Sequence, residues 1–290
     1  MSQSVFNTGL GARRAPEVRS YRSRRLNSGK IPRQELEFKL EALQKDYAEL
    51  HTAIFEAAQV HRRLCAPGLV RRGDFEIASE IFAVRHLPGD FFTVADTNNG
   101  AVLALGDICG KGLAAGMWTT HLVGLVGARM AVTSDPASIA AGVNRDICLM
   151  KSVVPLASLF VAKMDPATGK FKYCSAGHPP AFLLRANGEL ELLSEGGMLL
   201  GVVPAAAYVS GSFELGVGDV LMIYSDGITE SQNASGEEFG HARLEAQLRR
   251  AQTGPADSVL FSALGAVQDF AGACPLVDDM TLVIVRRNSH

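Results

Sequence analysis

At 290 residues the chain exceeds one average domain and suits one large domain with an extension. With 47% apolar and 20% charged residues it can bury a real core, which excludes a wholly disordered chain, and a formal net charge of −2 argues against a globally basic nucleic-acid binder. Cys65, Cys109, Cys148, Cys174 and Cys274 are scattered and form no Cys-x-x-Cys pair, which argues against a disulfide framework or a structural zinc site.

The reading is therefore a cytoplasmic protein. No signal-peptide core stands at the N-terminus, and no apolar run spans a bilayer interior of about 30 Å, so no membrane contact is expected. Residues 1–33 set Arg13, Arg14, Arg19, Arg22, Arg24, Arg25, Lys30 and Arg33 against one acid, Glu17, and predict a flexible basic tail. Residues 34–68 form the next region. Leu36, Leu40, Leu43, Tyr47, Leu50, Ile54, Ala57, His61 and Leu64 follow at alternating steps of four and three. This heptad pattern predicts a helix over 34–65, ended by Pro67 and Gly68. Two readings stay open: a seam that pairs with a second copy into a homodimer, or an amphipathic helix lying on its own domain.

Residues 69–290 are the globular part. Strands are predicted over 75–82, 91–96 and 101–107, with Asn98-Asn99-Gly100 as a hairpin turn. Helices follow over 113–132 and 138–150. Strands return over 157–164, 170–176, 181–185 and 190–193, joined by Asp165-Pro166-Ala167-Thr168-Gly169 and by Asn187-Gly188. Strands near 208–214 and 220–224, helices over 237–251 and 255–271, and a closing strand over 280–286 complete the chain. Tight hairpins predict antiparallel sheet, and paired helices between groups of strands predict an α+β layered architecture.

Acids sit where strands stop. Asp90 lies in Pro88-Gly89-Asp90-Phe91, Asp107 ends an apolar run, Asp226 follows another, and Asp278 and Asp279 precede the last strand. A carboxylate there is costly unless something pairs with it, and one alone is ordinary cap or turn chemistry. Several together suggest convergence. Without Cys or His companions they favour hard cations with oxygen ligands, Mg²⁺ or Mn²⁺, and a pair of such ions could activate a water for attack on phosphorus. An EF-hand spacing is absent. Gly106 to Gly112 fails as a Walker loop on spacing, and Asp226-Gly227 lacks the other kinase motifs. His178, between Gly and Pro-Pro, reads as a hydrogen-bonded structural residue. Lys111 reads either as a group that meets substrate phosphate or as a solvated helix start.

At these positions the sequence resembles the SpoIIE/RsbU branch of the PPM (protein phosphatase 2C-like) metal-dependent serine/threonine phosphatases. The matching segments are Gly89-Asp90-Phe91-Phe92, Gly106-Asp107-Ile108-Cys109-Gly110-Lys111-Gly112, Ala176-Gly177-His178-Pro179-Pro180, Leu200-Gly201-Val202, Tyr224-Ser225-Asp226-Gly227-Ile228-Thr229-Glu230, Gly236-Glu237-Glu238-Phe239-Gly240 and Asp278-Asp279-Met280-Thr281. The resemblance covers residues 70–287.

It implies two antiparallel β-sheets packed as a sandwich with helices outside (αββα), preceded by the N-terminal helix. It implies a dinuclear Mn²⁺ or Mg²⁺ centre with Asp107 bridging, Asp226 and Asp278 completing one ion, and the Ile108 carbonyl with Asp90 serving the other. Asp107, Asp226 and Asp278 would carry catalysis, and Asp279 would hold Asp278 or a metal water, or cap the strand. The implied substrate is a phosphoserine or phosphothreonine on a STAS-domain anti-sigma-factor antagonist, with an upstream activating protein as a further partner and helix 34–65 as switching element. Two positions depart from the pattern: Pro88 stands where Gly is usual, and Cys109 where animal relatives carry His, which predicts slow turnover. Two rivals remain: a phosphatase-fold module that binds a regulator without hydrolysis, and a hydrolase of small phosphoesters or nucleotides.

Overall fold

The structure is a computed structural model describing residues 32–65, 68–98, 100–150 and 155–288; nearly all of the basic tail, and Pro67, lie outside these residues. Two compact units divide the chain, residues 1–50 and 51–290. Among the described residues no helix is long and apolar enough to cross a membrane, and all five cysteines are free thiols.

Helix α1 runs from Arg33 to Cys65, uninterrupted by Gly or Pro. The pairs Arg33–Glu37, Glu35–Lys39 and Lys45–Glu49 brace its first turns at i,i+4 spacing. There Leu36, Leu40, Leu43 and Leu50 are each more than half exposed. Within residues 51–65 the inward face is Ile54, Ala58, His61 and Cys65, with the last two buried. The predicted seam used Ala57 and Leu64 instead, and both are exposed. The inward set keeps the seven-residue spacing but takes Ala58 and Cys65 in place of their neighbours, so the inward face lies to one side of the predicted seam.

The strands are β1 (Val70–Arg72), β2 (Phe75–Phe82), β3 (Phe91–Thr97) and β4 (Gly100–Ile108). Helices α2 (Leu113–Val132) and α3 (Pro136–Leu149) follow, then β5 (Ala157–Asp165), β6 (Lys170–Ala176), β7 (Ala181–Leu184), β8 (Leu190–Leu193), β9 (Gly196–Gly197), β10 (Gly211–Glu214) and β11 (Val220–Tyr224). The short helix α4 (Asp226–Thr229), helices α5 (Gly240–Ala251) and α6 (Ala256–Ala271), and β12 (Met280–Arg287) close the chain. One sheet has the order β1-β2-β12-β11-β7-β8, and the other β10-β6-β5-β4-β3 with β9 beside β6. All pairings are antiparallel except the two-residue β6–β9 contact.

Alternation along the strands builds the layers. Phe92, Leu103, Leu105 and Phe160 of one sheet meet Ile77, Leu183, Ile223 and Val283 of the other in one buried cluster. The opposite side chains of β4 and β5, including Val102, Ala104, Leu159 and Val161, pack under α2 and α3 with Leu122, Val126, Ile139 and Val143. Val220, Met222, Leu282 and Ile284 pack under α5 and α6 with Leu244, Leu248, Val259 and Leu260. The result is the αββα sandwich. Asp135 caps α3 by accepting from the Ser138 amide at 3.0 Å, with Pro136 in the first turn.

Candidate active site

The acids gather at one end of the sandwich, and each sheet supplies some of them. Asp107 is the penultimate residue of β4, and Asp90 directly precedes β3, which pairs with β4. Asp226 opens α4 just past β11, and Asp278 and Asp279 lead into β12, the neighbour of β11. The junction between the last two is tight: a Cβ at Gly227 would lie 2.0 Å from the Asp279 carbonyl oxygen, so only glycine lets the turns meet. Gly89 lies against both the Ile108 carbonyl and the Asp107 carboxylate, since a Cβ there would sit 3.2 and 3.4 Å from them. The carbonyl and carboxylates expected to share ions therefore occupy one neighbourhood.

Asp90 is almost wholly buried and accepts a hydrogen bond from Thr281 Oγ1 at 2.5 Å. Burial first, and then the charge of Asp107, hold its carboxyl well above the usual range, against the hydroxyls of Thr281 and Ser225. Asp107 is pushed up to about 6 by burial and by Asp226, Asp278 and Asp279, while its hydrogen bond with Asp90 opposes this. Asp226 is also raised, by burial and then Asp278, with the Gly227 amide and Lys111 pulling the other way. These acids disfavour one another's charge, a repulsion that a cation among them would relieve.

Among the described residues, no three His, Cys, Asp or Glu side chains stand in a geometry that could hold a metal ion as they are. The donor set is nonetheless all oxygen, the chemistry that Mg²⁺ and Mn²⁺ take. A cation already stands in it: Lys111 Nζ lies 2.6 Å from Asp278 Oδ2.

Asp279 contacts Asp278, as expected, and its carboxylate does something further. Its Oδ1 accepts from the Val84 amide at 2.7 Å and its Oδ2 from the Gly89 amide at 2.6 Å. It ties the approach to β12 to the loop that carries Asp90, and its own amide donates to Asp278 Oδ1 at 2.9 Å. Thr119 Oγ1 of α2 donates to the Gly89 carbonyl at 2.7 Å, fixing the same loop from the helix layer. Sequence reasoning named neither this role of Asp279 nor those of Thr119 and Thr281. A Thr two places beyond an Asp-Asp pair at a strand start was the one available signal.

His178 is buried, with Nδ1 2.8 Å from Ser158 Oγ, as expected of a structural residue. Burial lowers its pKa to about 3, so the ring is neutral. A cleft of about 480 Å³ opens beside Asp107 and Asp226, walled by Cys109, Pro179, Leu199 and Glu230. The Cys109 thiol is exposed there, and burial and the charges of Asp107 and Asp226 raise its pKa. It therefore stays protonated near neutrality.

The family model of Stage II sporulation protein E (SpoIIE) matches residues 97–288. The chain belongs to the SpoIIE family. Within the SpoIIE/RsbU-like branch of the PPM phosphatases, phosphoserine phosphatase RsbU of Bacillus subtilis is 23% identical over 243 residues, covering 82% of this chain and 71% of RsbU. Protein IcfG of Synechocystis sp. is 30% identical over 135 residues, 46% of this chain, and the match spans only 21% of IcfG. The SiaA-PP2C domain of Pseudomonas aeruginosa superposes with a TM-score of 0.72 at 16% identity, over 83% of this chain and 98% of that domain. The catalytic domain of protein phosphatase PstP, in complex with 2 manganese ions, gives a TM-score of 0.53 at 19% identity, over 74% of this chain and 99% of its own. The SpoIIE-family fold is thus the PP2C phosphatase fold.

Proposed function

We propose that the chain is a metal-dependent protein serine/threonine phosphatase that removes phosphate from a small regulatory protein in a bacterial signalling pathway. The observation that carries the reading is the meeting of Asp90, Asp107, Asp226 and Asp278 from two sheets, with raised carboxyls among them, in a fold shared with phosphatases. Asp107 with Asp226 and Asp278 would hold one Mn²⁺ or Mg²⁺, and Asp107 with Asp90 and the Ile108 carbonyl a second. When bound, such ions supply a more acidic water and neutralise phosphoryl oxygens. The chain's own residues orient that centre: Thr281 holds Asp90, Asp279 holds the loop at Gly89, and the cleft by Leu199 and Pro179 receives the residues flanking the phosphoryl group.

The relative RsbU is a phosphoserine phosphatase, which supports a phosphoprotein substrate here, and a phosphorylated STAS-like anti-sigma-factor antagonist is the proposed one. An upstream activating protein and a homodimer formed through 34–65 complete the proposal. The test is Mn²⁺-dependent hydrolysis of a phosphoserine protein, p-nitrophenyl phosphate and nucleotides. The phosphoprotein is expected to be the best substrate, and Asp107→Asn or Asp226→Asn to lower its rate by about 100-fold or more. Unchanged rates in both variants sink the catalytic assignment.

A further inference from the structure

Lys111 has a place that neither sequence reading described. Its Nζ lies 2.6 Å from Asp278 Oδ2 and donates to the Val277 carbonyl at 2.5 Å. The other carboxylate oxygen of Asp278 already accepts the Asp279 amide. Both Asp278 oxygens are thus engaged within the chain, and an ion that takes Oδ2 must displace an ammonium. The pair is about two-thirds shielded from solvent, with side-chain exposures of 36% and 33%. Its charge also acts on Asp226, Asp279 and Glu230. Lys111 stands four residues past Asp107, so the segment that brings the expected bridging acid brings the competing cation as well. Gly110 and Gly112 flank it with φ of 130° and 84°, and a Cβ at Gly110 would meet nothing within 4 Å. Arg85 bounds the Gly112 side, 3.1 Å from where a Cβ would stand, but the Lys111 side chain is itself 36% exposed, so it can turn toward solvent without moving the sheet.

We propose that Lys111 is a tethered competitor for the divalent ion at Asp278: it neutralises the acid cluster when no ion is bound and is exchanged out when one loads. The proposal rests on the metal-site reading above and assigns Lys111 a positioning and affinity-setting role. It predicts metal affinity weaker than the acids alone would give, because loading must break an existing ion pair and place two cations close together.

The experiment is calorimetric titration of Mn²⁺ into the full, chelator-stripped chain, for wild type, Lys111→Gln and Lys111→Arg, with thermal melts of each with and without Mn²⁺. Lys111→Gln is expected to bind Mn²⁺ about five-fold more tightly, and Lys111→Arg within about two-fold of wild type. Without metal, Lys111→Gln should melt below wild type, because the acids lose their counter-charge, and its Mn²⁺-induced rise should be the larger. The gap in affinity should narrow as KCl is added. If wild type binds Mn²⁺ and Lys111→Gln binds it equally or more weakly, the competitor role is overturned while the metal site stands. If wild type binds none, both the site and the competitor fall.

Discussion

Asp279 shows how a residue beside a candidate ligand can matter without touching an ion. Its two oxygens accept from two backbone amides that precede Asp90. Asp279→Ala would leave those amides without an acceptor in a buried corner and is expected to cost about 2 kcal/mol. Urea unfolding would read this, and Asp279→Asn, which keeps one acceptor oxygen, should lose about half as much. His178 makes a pH prediction. Burial depresses its folded pKa from 6.5 to about 3, so protonation favours the unfolded chain. Its contribution is complete above pH 6.5 and is lost as pH falls from there toward 3. Compared at pH 7.5 and pH 5, the urea midpoint of wild type should fall more steeply than that of His178→Asn. A parallel decline in the two proteins would assign the acid sensitivity elsewhere.

Among the elements, α1 carries the clearest unresolved pattern. Its Leu36, Leu40, Leu43 and Leu50 stripe is exposed, whereas residues 51–65 turn Ile54, Ala58, His61 and Cys65 inward. The proposed homodimer needs the first stretch. Wild type should sediment as a dimer and Leu40→Glu/Leu43→Glu as a folded monomer; a monomeric wild type refutes the pairing. The regular elements were legible from sequence. The alternation in Lys170–Tyr173, the continuous apolar run Val220–Tyr224, and the turns at Asn98 and Asn187 marked strands at or near their observed limits. Val70–Arg72 and Gly196–Gly197 were not, because two or three residues show no period and owe their conformation to a partner strand. Helix α5 starts at Gly240, later than the predicted Glu237, because Asn233 Oδ1 accepts the Ser235 and Glu237 amides and holds them in a turn. In the site, Asp107, Asp226 and Asp278 could be picked out as acids at strand ends. The anchors Thr119, Thr281 and Asp279 could not, since their partners lie 30, 191 and 190–195 residues away in sequence.

For the molecule as a whole, acids drawn from both sheets make metal loading a question of global stability. An ion held by Asp107 of one sheet and Asp226 and Asp278 of the other would bind the folded chain and not the unfolded one. At a hundredfold excess over Kd this is worth about 2.7 kcal/mol, or a rise in Tm of roughly 5–10 °C. A melt with Mn²⁺ should show that rise, a chelator should reverse it, and Asp107→Asn should abolish it. Equal melting with and without Mn²⁺ would remove the ion from the account of this fold.

The sheet order adds a temporal meaning. The last described strand, Met280–Arg287, is wedged between the second and the eleventh, and it arrives with Asp278, Asp279 and Thr281. A nascent chain still waiting for that strand has two unzipped neighbours and lacks Asp278 and the anchors of Asp90. On the proposed reading, a chain cut short after Tyr224 is expected to bind no Mn²⁺ and to release no phosphate, whatever the state of its other strands.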